Sequence, residues 1–96
     1  MKKVRHIVSW NLKDGCGEEE ALQIKKNLES LKEPLNILEL KVYISNMKSS
    51  DREVVLNSLF ESEEALETYQ SHPLHVESKN YISSVTKDRI CLDYFE

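Results

Sequence analysis

Cysteine, glycine and proline each occur only twice in this 96-residue chain, and each scarcity removes a class of architecture. Cys16 stands in the turn-like run Asp14-Gly15-Cys16-Gly17 and Cys91 in an apolar, strand-like run. The pair has neither CxxC spacing nor the density of a disulfide scaffold, so both read as free thiols. With no basic sequence neighbour to activate it, Cys16 reads as a loop residue rather than a reactive thiol. No apolar run approaches the ~20 residues of a spanning helix. The charged start Met1-Lys2-Lys3-Val4-Arg5 leads into an alternating segment instead of the unbroken apolar core of a signal peptide. A soluble, cytoplasmic protein is the expectation. Positive charge is also short: 13 basic against 17 acidic residues, interspersed, give a formal net charge of -4. That leaves no basic stripe for nucleic acid and no polybasic patch for a membrane surface. Repeats, linkers and low-complexity tracts are absent too, so residues 1–96 form one domain, large enough for a single core.

What is present is strong periodicity. Val4 to Leu12 alternates, with Val4, His6, Val8, Trp10 and Leu12 on one side, and ends at a Gly-rich turn: a first strand. Glu18 to Leu31 places Ala21, Ile24, Leu28 and Leu31 at helical spacing behind three glutamates suited to the positive end of the helix dipole, and stops before Pro34. Ile37 to Ile44 alternates again, and Glu53 to Phe60 is rich in β-formers on both faces. Ser62 suits the N-cap of a helix over Glu63 to Ser71, and Pro73 either ends that helix or starts another running to about Val85. Arg89 to Phe95 reads as a closing strand with apolar residues on both faces. The order β-α-β-β-α-β predicts an α+β, ferredoxin-like domain whose helices cover one face of a four-stranded antiparallel sheet.

Chemistry concentrates in two stretches, Arg5-His6-Ile7-Val8-Ser9-Trp10 and Tyr69-Gln70-Ser71-His72-Pro73-Leu74-His75-Val76. His6 falls on the apolar face of its strand, and a buried imidazole needs a polar partner. In a ferredoxin-like sheet the first and last strands are antiparallel neighbours, which places Asp93 near His6, ready to accept its proton and hold its tautomer. The His-Pro-x-His turn is expected to close over the same region. Tyr69, His72 and His75 recur at intervals of three, although Pro73 leaves their shared face open.

With those residues in view, the chain resembles the stress-responsive A/B barrel (Dabb) family. The resemblance rests on His6-Ile7-Val8, the stretch from Phe60 to Tyr69, the turn from His72 to His75, and Asp93-Tyr94, and it spans nearly the whole domain. It implies a protomer that pairs sheet to sheet into a homodimeric α+β barrel, which would account for a second apolar sheet face. Around Tyr-x-x-His-Pro-x-His the chain is similar to a plant polyketide cyclase of that family, the one that forms olivetolic acid. This similarity implies His75 as base and Tyr69 as its catalytic partner, with His6 and Asp93 in support. An intramolecular aldol condensation needs a base of near-neutral pKa beside a carbonyl and a hydroxyl to stabilise the enolate.

The expected pocket-facing residues are Val8, Trp10, Ile24, Leu28, Leu56 and Ile82, joined by His72, whose place before Pro73 also suits a helix-terminal residue bonding backbone groups. Bulky Trp10 argues for a small ligand. No cofactor and no metal site are expected, since Pro73 interrupts the HxxH spacing and no second carboxylate joins Asp93. Two functions remain: a cofactor-free cyclase or lyase acting by general acid-base chemistry, or a non-catalytic, ligand-binding or stress-associated dimer in which the same polar groups are structural.

Overall fold

The structure, a computed structural model, describes residues 2–96 and contains β1 (Val4–Leu12), α1 (Glu18–Glu29), β2 (Glu39–Ile44), β3 (Val54–Phe60), α2 (Glu63–Ser71), α3 (Pro73–Val85) and β4 (Thr86–Phe95). All strand pairs are antiparallel, in the order β2-β3-β1-β4. The first and last strands are therefore neighbours, β4 is an edge, and the helices lie on one face. This is the expected α+β, ferredoxin-like sheet, with the helical segment between β3 and β4 split in two.

Local chemistry accounts for the element ends. Gly15 takes a left-handed φ of 86° in the turn after β1, a conformation costly for other residues. The Glu20 carboxylate reaches back to accept from the Gly17 N–H at 2.6 Å, and with Glu18 and Glu19 it compensates the helix dipole at the start of α1. Ser62 caps α2 by accepting from the Ala65 N–H at 3.1 Å. α2 cannot run on into α3, because Pro73 forces the residue before it out of the helical region. His72 is extended, at φ -67° and ψ 136°, and Pro73 opens α3 in its first turn, where a missing N–H costs nothing.

Four boundaries move from the sequence expectation, one of them by a single residue, since β3 begins at Val54 rather than Glu53. α1 ends at Glu29 rather than Leu31, because the chain enters turns that culminate in left-handed Asn36 at φ 53°, although Leu31 itself stays buried. β2 begins at Glu39 rather than Ile37, since the Ile37 N–H is taken by the Lys32 carbonyl in that turn. β4 begins at Thr86 rather than Arg89, because α3 feeds directly into it and the ladder from Leu12↔Thr86 is interrupted only by an irregularity between Ser9 and Asn11.

The period of two in β1 sorts the sheet into two faces. Val4, Val8, Trp10 and Leu12 join Val42, Val54, Leu56 and Phe60 beneath the helices, and Ala21, Ile24 and Leu28 of α1 with Leu66, Tyr69 and Ile82 of α2 and α3 belong to the same core. On the opposite face Tyr43, Ile90, Leu92 and Tyr94 stand exposed. At one end of that open face Arg5 donates to Glu39, Asn57 and Glu96. Ile24 has no accessible surface, so Ile24→Ala should lower the unfolding free energy by about 2–5 kcal/mol in a urea titration with an unchanged m-value. A loss under ~1 kcal/mol would mean that the contact of α1 with the sheet matters far less than its burial implies.

Candidate functional site

The ladder between β1 and β4 pairs His6 with Asp93 and Val8 with Cys91. His6 is buried at 3% exposure, and its Nδ1 donates to Asp93 Oδ1 at 2.5 Å. Asp93 stays partly open to solvent, so the carboxylate retains hydration while serving a buried ring. The His6 backbone carbonyl is in turn held by Ser58 Oγ, 2.8 Å away on β3. Cys91 Sγ lies 3.5 Å from the same Asp93 oxygen, where partial desolvation, and then the charge of that carboxylate, raise its pKa above the ordinary thiol value. The thiol is thus a donor rather than a nucleophile. His6, Cys91 and Asp93 present their ligand atoms within 4.8 Å of one another. A tetrahedral zinc with bonds of ~2.0 Å would part the nitrogen and oxygen to roughly 3.3 Å. Their 2.5 Å spacing is that of a hydrogen bond.

The helix break supplies the other half. Since α2 stops at Ser71, the carbonyl of Gln70 has no helical donor, and His75 Nδ1 meets it at 3.1 Å. A carbonyl only accepts, so Nδ1 carries the proton and Nε2 keeps its lone pair. His75 is half-buried, and desolvation lowers its pKa below the usual 6.5, with Lys79, His6 and Arg89 acting in the same direction against the Gln70 bond. Its ring lies 4.3 Å, centroid to centroid, from that of Tyr69. Tyr69 is buried against Phe60 at 5.0 Å, and its ring stands 6.4 Å from that of His6. Burial pushes the phenol well above its ordinary pKa, so it remains an O–H donor, and the hydroxyl has no protein partner.

These groups border a cavity of about 250 Å³ between the sheet and the helices. His6, Tyr69 and His75 line it, as do Val8, Trp10, Leu28, Leu56 and Ile82. Asp93 reaches it only through His6. Two residues expected at its wall lie elsewhere: Ile24 is sealed in the core beneath α1, and His72 accepts from the Leu74 N–H at 3.1 Å as the cap of α3. Sequence reasoning passed over Gln70, Lys79, Ser83 and Arg89, which also line the cavity. Lys79 and Ser83 follow His75 at i+4 and i+8 on α3, a spacing that was legible; Arg89 was not, because its aim depends on the β4 irregularity.

Because the folded-state pKa of His75 lies below 6.5, the unfolded chain takes up the proton first as pH falls. Its contribution to stability is complete above about pH 6.5 and is lost as pH drops toward the folded-state value. An NMR titration should therefore find the His75 midpoint below 6.5, and His75→Ala should flatten the corresponding arm of the stability profile. A midpoint at or above 6.5 would contradict a desolvated ring.

The sequence profile described as "Stress responsive A/B Barrel Domain" matches residues 4–96. Among curated proteins none matches. Among solved structures, the chain is similar to a dimeric protein of unknown function with a ferredoxin-like fold from Bacteroides fragilis, at 26% identity over 98% of this chain and 96% of that one, with a TM-score of 0.85. A dimeric ferredoxin-like protein from Thermobifida fusca aligns at 21% identity over 99% and 92%, with a TM-score of 0.83. A hydroxynitrile lyase from Passiflora edulis aligns at 18% identity over 99% and 94%, with a TM-score of 0.86. The last two establish the shared fold alone.

Proposed function

Since the chain belongs to the stress-responsive A/B barrel domain family, we propose that its cavity binds a small carbonyl compound, with His75 as general base and Tyr69 as hydrogen-bond donor. The observation that carries this reading is the pairing of a buried, unpartnered phenol with a desolvated imidazole whose Nε2 is free, on one cavity wall. Nε2 would take a proton from the carbon beside the carbonyl, and the Tyr69 O–H would donate to the oxygen on which charge develops. Desolvation keeps His75 unprotonated near neutrality, as a base requires. His6, held by Asp93, is a positioning residue that fixes the wall behind Tyr69. No step calls for a cofactor. A cavity of about 250 Å³ suits a compact aryl or branched compound better than a long acyl chain, given that ~150 Å³ accommodates benzene. The hydroxynitrile lyase from Passiflora edulis has this fold, so the scaffold is compatible with lyase chemistry; that support is analogy at the level of fold.

Thermal-shift screening of small aryl ketones should find a binder that raises the apparent stability of the wild type by mass action. In D2O the wild type should exchange the proton next to its carbonyl, and His75→Ala should lose about 10²-fold or more of that rate while its stability changes by no more than ~1 kcal/mol. Tyr69→Phe removes an unsatisfied hydroxyl, so the free protein should be as stable or more so while the ketone binds more weakly. If His75→Ala unfolds and no ketone protects the wild type, the alternative gains: a non-catalytic dimer in which the packed Phe60, Tyr69 and His75 rings are structural.

The protein is also proposed to act as a homodimer through its open sheet face. Ile90, Leu92, Tyr94 and Tyr43 present apolar surface there, at 43% to 56% exposure, and two of the similar structures are described as dimeric. Light scattering after size exclusion should give twice the chain mass for the wild type, and Leu92→Glu should shift it toward one chain. A monomeric wild type at micromolar concentration would refute the pairing.

A further inference from the structure

We propose that the mouth of this cavity is an anion-binding site formed by Lys79 of α3 and Arg89 of β4, and that the natural ligand is a small organic carboxylate whose apolar body enters between Trp10, Leu28 and Leu56. The site is the cavity of the proposed function, read now for the charge of what enters it, and it rests on that reading. In a chain with a formal net charge of -4, the cavity wall carries two permanent cations and no carboxylate. Among the described residues neither Lys79 nor Arg89 forms an ion pair, as holds for most basic residues of the chain, so both charges are open to a ligand.

Both cations are aimed by the backbone. Lys79 lies one turn beyond His75 and one turn before Ser83 on the α3 face that borders the cavity. Arg89 follows Asp88, which takes a left-handed φ of 57° where the β1–β4 register shifts, and such irregularities redirect the next side chain. Asn11 Nδ2 holds the Asp88 carboxylate at 3.3 Å, which keeps that acid engaged across the strand rather than against Arg89. Arg89 shares the helix-facing side of β4 with Cys91 and Asp93, and Asp93 is already engaged by His6. Two like charges at the rim beside the His75 ring give that rim a positive potential suited to an anionic group of the ligand. A guanidinium fork fits a carboxylate bidentately, and the lysine and the Ser83 hydroxyl add further donors. Inorganic phosphate satisfies the mouth but leaves the apolar interior empty. An aryl or branched acid fills both.

The probe pair is benzoate and its neutral near-isostere benzamide, followed through the Trp10 indole N–H by NMR at two salt concentrations. Wild type should bind benzoate at least about tenfold more tightly than benzamide, with the preference shrinking at high salt. In the double variant Lys79→Gln/Arg89→Gln, whose positions are exposed and peripheral to the core, benzoate should weaken about tenfold while benzamide changes by less than about twofold. Equal binding of the two probes, or an unaltered benzoate preference in the double variant, would overturn the anion site and leave the carbonyl-binding cavity standing. Phosphate competing as strongly as benzoate would overturn the organic class. Absence of any Trp10 response to either probe would overturn the site and the cavity reading together.

Discussion

A neutral or charged imidazole set into the apolar face of a central strand is tolerable only if something polar reaches it, and in this protein that partner comes from the far end of the chain. The 2.5 Å bond between His6 and Asp93 spans 87 residues of sequence. It can form only when β1 and β4 pair in one register, because a slip by one residue would turn Asp93 to the opposite face. The register therefore carries consequences beyond its own hydrogen bonds. It makes β4 an edge strand, sets Cys91 against the same carboxylate, and requires the chain leaving β3 to cross the helix layer before returning beside β1.

That crossing is where the second half of the site arises. One continuous helix from Glu63 to Val85 would have no orphan carbonyl at Gln70, and the His75 ring would have no anchor there. The break enforced by Pro73 frees the carbonyl, turns α3 back toward the sheet, and packs His75 onto Tyr69. The two polar groups thus stand against a wall whose rear is His6 and Asp93. The cost of the arrangement is visible in the Tyr69 hydroxyl, a buried donor without a protein acceptor. Tyr69 lines the cavity, and its proposed donor role rests on that hydroxyl.

The same sheet serves two purposes because its residues alternate. Side chains of even number in β1 face the helices and the cavity, and their odd-numbered neighbours face away with Ile90, Leu92 and Tyr94 of β4. Arg5, clamped by Glu39, Asn57 and Glu96, closes one end of that outer face and leaves its apolar middle open. Among the described residues no helix is long and apolar enough to cross a membrane. The exposed apolar row is the face through which the proposed homodimer would pair.

Periodicity and turn chemistry alone were enough for the strands, the helices, their order and the proximity of His6 to Asp93, because each of these follows from local preferences and from the few topologies that a β-α-β-β-α-β string permits. Tyr69 and His75 stood out as a pair only through the resemblance carried by the Tyr-x-x-His-Pro-x-His segment. The remaining details needed the folded chain. Ile24 and Leu28 share one helical stripe, yet only the tilt of α1 on the sheet decides that the first is sealed and the second borders a cavity. The place of His72 before Pro73 already suited a helix-terminal residue, but only the folded backbone at the proline makes one ring a cap and the other a cavity wall. Arg89 carries no motif at all, and its place in the cavity lining depends on a one-residue irregularity between two strands distant in sequence. Sequence determines which residues a segment can bury, because that is set by spacing along a single chain; tertiary structure decides which of them meet, because that depends on the angles at which separate elements pack.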